Sequence, residues 1–316
     1  MKTYQLRFSS ISPITKIPDS QSFFGALAHA IKSRFGKEQL EELLLKGMKK
    51  EFPFIVSSFF FTKTLPLPLD ITPTFLSESN ISINQLKAIK KTKKIKSISL
   101  GIYQDYASNL DQFNTSFYHK LFSNEYLLIQ DDSLLIKNDE VNLFSQAKPY
   151  KTTTRVRNKV NISEETDLFY NQVIYLKDDQ KFDVYLKVHS NDILNIIIES
   201  LQKQVYISIG GKRSIGLNLF KYLDCQEVNF PENHQKKMLL SKSIIDSDQV
   251  DWEHSYYKNV VLNNKFDLIK EKVFKKQLLC FVEGSVFTTN QNFIGSYVPE
   301  EKQPFTVYHN AVGFMI

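Results

Sequence analysis

The chain has 316 residues, of which 42% are hydrophobic and 13% aromatic, with only ten glycines and ten prolines. This excludes a collagen-like, low-complexity or linker-dominated polymer and leaves a folded protein with one large core or two smaller ones. Forty basic residues against 34 acidic ones give a net charge of +6, a mild excess whose placement matters more than its total.

Two cysteines, Cys225 and Cys280, are too few for a disulfide framework, and no neighbouring His or Cys turns them into a zinc site. The expectation is a reducing cytoplasm. The opening "MKTYQLRFSSISPITK" lacks the apolar run of a signal peptide. No window reaches the roughly 18 uninterrupted apolar residues of a membrane helix, so no membrane contact is expected.

Along the chain, Tyr4, Leu6 and Phe8 alternate with Gln5, Arg7 and Ser9, the period of a first strand. "SFFGALAHAIKSRFG" has helical spacing, with Ser20 or Ser22 as N-cap and Gly36 as the stop. Leu40, Leu43 and Leu44 continue a second helix to about residue 50. Residues 55 to 61 read as a strand, and "TLPLPLDITP" as an extended, Pro-punctuated segment. The stretch from about 75 to 160 is polar, Lys-rich and irregular, with short strand candidates. "LFYNQVIYL" (168–176) and "FDVYLKV" (182–188) read as a strand hairpin across "KDDQK". A helix from Ser190 or Asn191 to Gln204 follows, then a glycine loop and a strand at 217–223.

Setting the insertion aside, this order is close to a β-α-β-β-α-β plan. Such a plan puts helices on one sheet face and leaves the other free to meet a ligand, as in RNA-recognition modules. After "CQEVNFPENHQ" the pattern restarts: a strand at 236–245, a β-prone run at 270–289 and the closing "VYHNAVGFMI". The expected fold class is α+β, with a first domain at 1–223 carrying the 75–160 insertion and a smaller β-rich domain at 224–316.

The stretch "ISIGGKRSIGLNLF" gathers Gly210, Gly211, Lys212, Arg213 and Ser214 in one loop. A Walker loop needs Gly, four residues, then Gly-Lys-Ser/Thr; here Arg213 follows Lys212, and Tyr206 stands where the first Gly belongs. The glycines at 210, 211 and 216 also miss the dinucleotide spacing. Exposed N–H groups beside two cations form an anion nest suited to a polyanion backbone; the plainer reading is a helix C-cap.

Lys87, Lys90, Lys91, Lys93, Lys94 and Lys96 fall within ten residues, and Lys87, Lys90, Lys91 and Lys94 would share a helical face, which by itself reads as a solvated surface. In "TTTRVRNKVNI", Arg155, Arg157, Lys159 and Asn161 alternate with Val156, Val160 and Ile162, making a basic β-ribbon that Lys148 and Lys151 extend. Arg grips phosphate through paired hydrogen bonds. Tyr103, Tyr106, Phe117, Tyr118 and Tyr150 are candidate stacking surfaces, or simply local packing. The six histidines are scattered and form no ligand pair, and Asp131-Asp132 and Asp178-Asp179 read as turns. No metal or cofactor is expected. His29, in the first helix, is the one candidate general base, against a plain surface or partly packed histidine.

"GGKRSIGLNLF" resembles the glycine-rich loop of the RAMP superfamily of CRISPR proteins. "SFFGALAHAI" is similar to that family's first-helix pattern, and "SSFFFTKTLPLPL" to its strand ending in a Leu-Pro run. "GSVF" at Gly284 to Phe287, with the Gly, Pro and terminal strand after it, resembles the C-terminal signature of one branch: subunit four of type III-A (Csm) effector complexes, the Cas5-like cap. The ordered set spans the chain.

The resemblance implies two ferredoxin-like domains, a grip on the 5′ repeat-derived tag of the crRNA, and contacts with the large polymerase-like subunit and the backbone RAMP subunit. Target RNA is then met only indirectly, and the subunit is not an enzyme. The expected RNA-binding residues are Gly210, Gly211, Lys212, Arg213 and Ser214 in the loop, Arg155, Arg157 and Lys159 in a thumb-like hairpin, and Lys90, Lys91 and Lys94. The alternatives are a metal-independent endoribonuclease using His29 on precursor crRNA, and a scaffold whose basic stripe meets an acidic protein.

Overall fold

A computed structural model describes residues 1–74, 82–160, 166–177, 179–231, 235–262, 265–267, 272–274, 276–302 and 305–316. The side chains of Lys159 and Arg213, and residues Asn161, Ile162 and Asp178, lie outside that description.

The chain opens with β1 (Lys2–Ser10), whose Leu6 and Phe8 are fully buried. Helix α1 (Ser20–Phe35) ends at Gly36, which takes a φ of 92° that a side chain would resist. Its N-cap is Asp19 and not a serine: the Asp19 carboxylate accepts from Ser22 N at 2.8 Å. Ser20 Oγ is engaged elsewhere, accepting from Lys242 N. Helix α2 (Lys37–Met48) follows. The strand expected at 55–61 is split into β2 (Phe54–Val56) and β3 (Phe60–Phe61). Ser57 and Ser58 turn inward between them, Ser57 Oγ accepting from Tyr185 N and Ser58 N donating to Leu240 O.

The insertion is a folded layer, not an irregular segment. It includes α3 (Ile83–Thr92), β5 (Ser97–Ser99), α4 (Leu100–Ser108), α5 (Leu110–Phe122), β6 (Tyr126–Ile129) and β7 (Leu134–Lys137), and β4 (Thr64–Pro66), which precedes it in the chain, pairs with β5. Its sheet has the order β4-β5-β7-β6. Ile102, Tyr103 and Tyr106, then Phe113, Phe117 and Leu121, recur at helical spacing and are buried, a stripe that the polar composition concealed. Tyr103, Tyr106 and Phe117 are therefore core residues, and Tyr118 packs on Phe117 and Phe122.

Strands β8 (Tyr150–Val160) and β9 (Thr166–Leu176) pair with each other along their whole length. The expected hairpin between 168–176 and 182–188 does not form. Strand β10 (Lys181–Val188) instead lies between β1 and β2. The reason is its composition: Phe182, Val184 and Leu186 on one face and Tyr185 on the other are all buried, and only a central strand buries both faces.

Helix α6 (Asn191–Gln202), capped by Ser190, leads to β11 (Ile207–Ser208) and β12 (Leu219–Glu227). The order β12-β1-β10-β2, antiparallel at each step, is that of a β-α-β-β-α-β unit with its fourth strand beside its first. α1 and α6 pack together over one face. The opposite face is not free. Tyr185 there meets Phe230 edge-on at 4.9 Å and Phe314 at 6.3 Å, and Asp183 is fully buried. The C-terminal part of the chain covers the centre of the sheet, so a ligand has to approach at its edges.

That C-terminal part contains β13 (Lys236–Met238), β14 (Asp251–Tyr256), β15 (Asn259–Leu262), β16 (Lys265–Asp267), β17 (Lys272–Phe274), β18 (Leu278–Phe281), β19 (Val286–Thr288), β20 (Tyr297–Lys302) and β21 (Phe305–Asn310). The strand expected at 236–245 shortens to β13, because beyond it Leu239, Leu240 and Ser243 bond to three different partners: Ser285, Phe314 and Phe281. Among the described residues, no α-helix follows α6, and no helix is long and apolar enough to cross a membrane. Both cysteines are free, and burial pushes each thiol up to about 11.

Met238, Leu240, Val286, Tyr297, Val312 and Phe314 join the same core as β1, β10 and α1. A buried polar network adds to this seam. Asp19 accepts from Lys242 Nζ at 3.3 Å and Lys16 Nζ at 2.8 Å, while Ser58 Oγ bonds Glu283. Burial by itself would raise the Asp19 pKa; Lys242 and Lys16, with the Lys16 and Ser22 hydrogen bonds, outweigh it and hold the carboxyl well below the usual range. A depressed folded pKa gives stability that is complete above the unfolded value of about 3.9 and is lost as the pH falls through it towards the folded value. Asp19→Ala removes the cap and leaves Lys242 under-compensated. The expected loss at pH 7 is about 2–4 kcal/mol in urea denaturation, and the gap to wild type narrows below about pH 4.

Candidate nucleic-acid interface

The glycine loop is the connection between β11 and β12, with a short 3-10 turn at Arg213–Ile215. A short strand precedes it, so it is a hairpin connection and not a cap on α6. Gly210, Lys212, Gly216 and Asn218 take φ values of 96°, 66°, 72° and 60°. Repeated left-handed residues curl the backbone into a concave turn. Gly210, Gly211, Lys212 and Ser214 are exposed, and their N–H groups have no acceptor among the described residues. The loop follows β11, the edge strand of the sheet.

Asn218 holds the loop in this shape. It is 3% exposed, and its side chain is fully engaged: Oδ1 accepts from Thr15 N at 2.7 Å, and Nδ2 donates to Gly211 O at 2.6 Å and Thr15 Oγ1 at 3.1 Å. Its own N–H donates to Pro13 O at 3.1 Å. Sequence reasoning passed over it. The signal it offered is that Asn tolerates the left-handed region, but Thr15 and Pro13, to which it ties the loop, lie some 200 residues away in the chain.

The segment Pro13–Thr15 also holds the ribbon. Ile14 and Ile174 exchange both backbone hydrogen bonds, at 3.0 and 2.7 Å, fixing the base of β9. One bracket therefore carries the glycine loop on one side and the ribbon on the other. Lys212 Nζ closes the arrangement by hydrogen-bonding Asn171 Oδ1 of β9, and Asn171 lies opposite Arg155 in the register.

Paired residues share a face in an antiparallel ribbon. Lys151, Arg155 and Arg157 occupy one face, where Arg155 also lies 5.1 Å over the Tyr175 ring. Val156, Leu168 and Tyr170 occupy the other face and are 55%, 56% and 69% exposed. Exposed apolar residues grouped in this way are a feature of contact surfaces.

The other expected cations lie elsewhere. Lys91 and Lys94 pair with Asp132 in the β6–β7 turn at 3.6 and 3.1 Å, and Lys90 is exposed on α3. No described contact joins Lys90, Lys91 or Lys94 to the glycine loop. His29 is exposed on α1, and no hydrogen bond links it to a second acid–base group among the described residues.

The chain is a mixed α+β protein with a glycine loop at one sheet edge and a basic ribbon beside it. Solved structures share its fold over the whole chain. A chain of the Csm3–Csm4 subcomplex of the type III-A CRISPR-Cas interference complex superposes with a TM-score of 0.64 at 19% identity, covering 100% of this chain and 98% of that one. A chain of the Csm1–Csm4 cassette in complex with pppApA gives 0.60 at 16% identity, covering 100% and 97%. A chain of the same cassette in complex with cA4 gives 0.58 at 15% identity. No protein-family model and no curated protein matches the sequence. At such low identity the likeness is one of fold.

Asn218→Asp tests the bracket. It keeps the side-chain size but sets a carboxylate oxygen against Gly211 O. The expected cost is about 1–3 kcal/mol. Amide exchange across 209–217 should accelerate while that of α1 and β10 stays at the wild-type rate.

Proposed function

We propose that this chain is the crRNA 5′-tag-binding subunit of a type III-A CRISPR effector complex, the counterpart of Csm4. Csm4 is the subunit common to the complexes that contain its structural neighbours. The observation that carries the reading is the Lys212–Asn171 hydrogen bond, which sets the exposed N–H groups of the glycine loop against the Arg155 level of the basic ribbon. In this reading the loop N–H groups and Lys212 take tag phosphates, while Arg155 and Arg157 take phosphates further along the guide. Lys159 and Arg213 extend the two groups by their place in the sequence.

The polymerase-like large subunit and the backbone RAMP subunit are the proposed protein partners, in the cytoplasm. Residues 1–223 and 224–316 are read as two ferredoxin-like units, a view the β12-β1-β10-β2 order supports for the first. The role is proposed as non-catalytic. No observation favours the endoribonuclease alternative: among the described residues, no hydrogen bond joins exposed His29 to a second acid–base group.

The test is co-expression with the other subunits followed by sequencing of the RNA that co-purifies, together with a salt titration of tag-RNA binding. A short guide with a constant 5′ end is expected. Lys212→Ala/Arg155→Ala/Arg157→Ala should weaken binding and flatten the log–log salt slope by about 2, at roughly 0.7 per phosphate contact on single strands. Unchanged affinity and slope would remove the loop and ribbon from the interface.

A further inference from the structure

A second cleft lies between β3 and the insertion sheet, away from the glycine loop. Its volume is about 520 Å³, within the usual range of small-ligand sites. Lys63, Lys96 and Lys181 all line it, all are exposed, and none makes an ion pair among the described residues. Two further cations on its wall are already matched: Arg7 with Asp183 at 3.1 Å and Lys148 with Asp131 at 3.0 Å. Asp179 is the one carboxylate on the described lining. Three unmatched ammonium groups around one concavity leave it electropositive and call for an anion of more than one charge.

One observation defines the rest of the ligand. Tyr150 lines the cleft, half-exposed, with its ring stacked on Phe61 at 5.9 Å and 6° between planes. An aromatic ring on the wall of an electropositive cleft is a base-stacking platform.

We infer that this cleft is a nucleotide site: a base stacks on Tyr150, and Lys63, Lys96 and Lys181 surround its phosphate. The same chemistry comes from a free nucleotide or from the phosphorylated end of a nucleic-acid strand. The site does not depend on the role proposed for the glycine loop, and shares no residue with it.

Photolabelling of the purified full-length chain tests it. The probes are 8-azidoadenosine 5′-monophosphate and a 5′-phosphorylated trinucleotide carrying 4-thiouridine. The expected label falls on the peptide containing Tyr150. Lys63→Ala/Lys96→Ala/Lys181→Ala should reduce it about tenfold, as three exposed side chains whose loss leaves the thermal midpoint in place. Tyr150→Leu should reduce it about fivefold or more. Lys212→Ala should leave it unchanged, which separates this site from the tag reading. AMP competing better than the trinucleotide identifies a free nucleotide; the reverse identifies a strand end, and both carry the proposal. No label on this peptide from either probe, equal competition by unphosphorylated adenosine, or labelling untouched by the triple substitution overturns it.

Discussion

The proposed interface depends on one buried amide. Asn218 sits in a left-handed conformation at the end of the glycine loop and ties Gly211 to Thr15 through opposite ends of its side chain. A side chain that both donates and accepts is required there, because Gly211 offers a carbonyl and Thr15 an N–H. The same short segment, Pro13–Thr15, pairs with Ile174 at the foot of the ribbon. Loop and ribbon thereby share a common support, and Lys212 can reach Asn171. A salt-dependent grip on a flexible polymer needs such pre-arrangement, since ordering both partners on contact would cost affinity.

A second constraint comes from the seam between the β1–β12 unit and the C-terminal strands. Asp19, Lys242, Glu283 and Ser58 are brought together from both sides of it, and Tyr185 is roofed by Phe230 and Phe314. Covering the sheet centre removes the broad surface on which a free-faced sheet would receive bases. The proposed contacts accordingly lie at the rim: the β11–β12 turn, the ribbon that springs from the first unit, and the cleft beside β3. The left-handed turns at Lys63 and Lys212 belong to this rim, each presenting a lysine from a conformation that the surrounding structure must enforce.

Charge placement separates cations with internal work from those without it. Lys91 and Lys94 share Asp132, Lys148 has Asp131, and Arg7 has the buried Asp183. Each pair weakens the local positive field, and the solvent-exposed Lys148–Asp131 pair adds little stability. Among the exposed cations without an ion pair in the described residues, those of the ribbon and glycine loop and the three lysines of the cleft are grouped. A modest net charge of +6 thus becomes two local concentrations.

Much of the architecture could be read from local pattern. The alternation of β1, the Gly36 stop, the Ser190 cap and the alternating cations of β8 all depend on neighbours in sequence, where stereochemistry and periodicity act directly. What the sequence by itself determined is therefore the kind of element at each place and the chemistry of its exposed residues, including a glycine loop and a basic ribbon. The tertiary structure alone decided which strand paired with which, so that β10 went to the sheet centre and β9 to β8. It alone made the polar insertion a packed layer and covered the presumed ligand face. It alone joined Asn218 to Thr15 and Lys212 to Asn171. These outcomes rest on contacts between residues tens to hundreds of positions apart, and two-sided burial and hydrogen-bond matching are properties of the assembled chain, which no window of sequence contains.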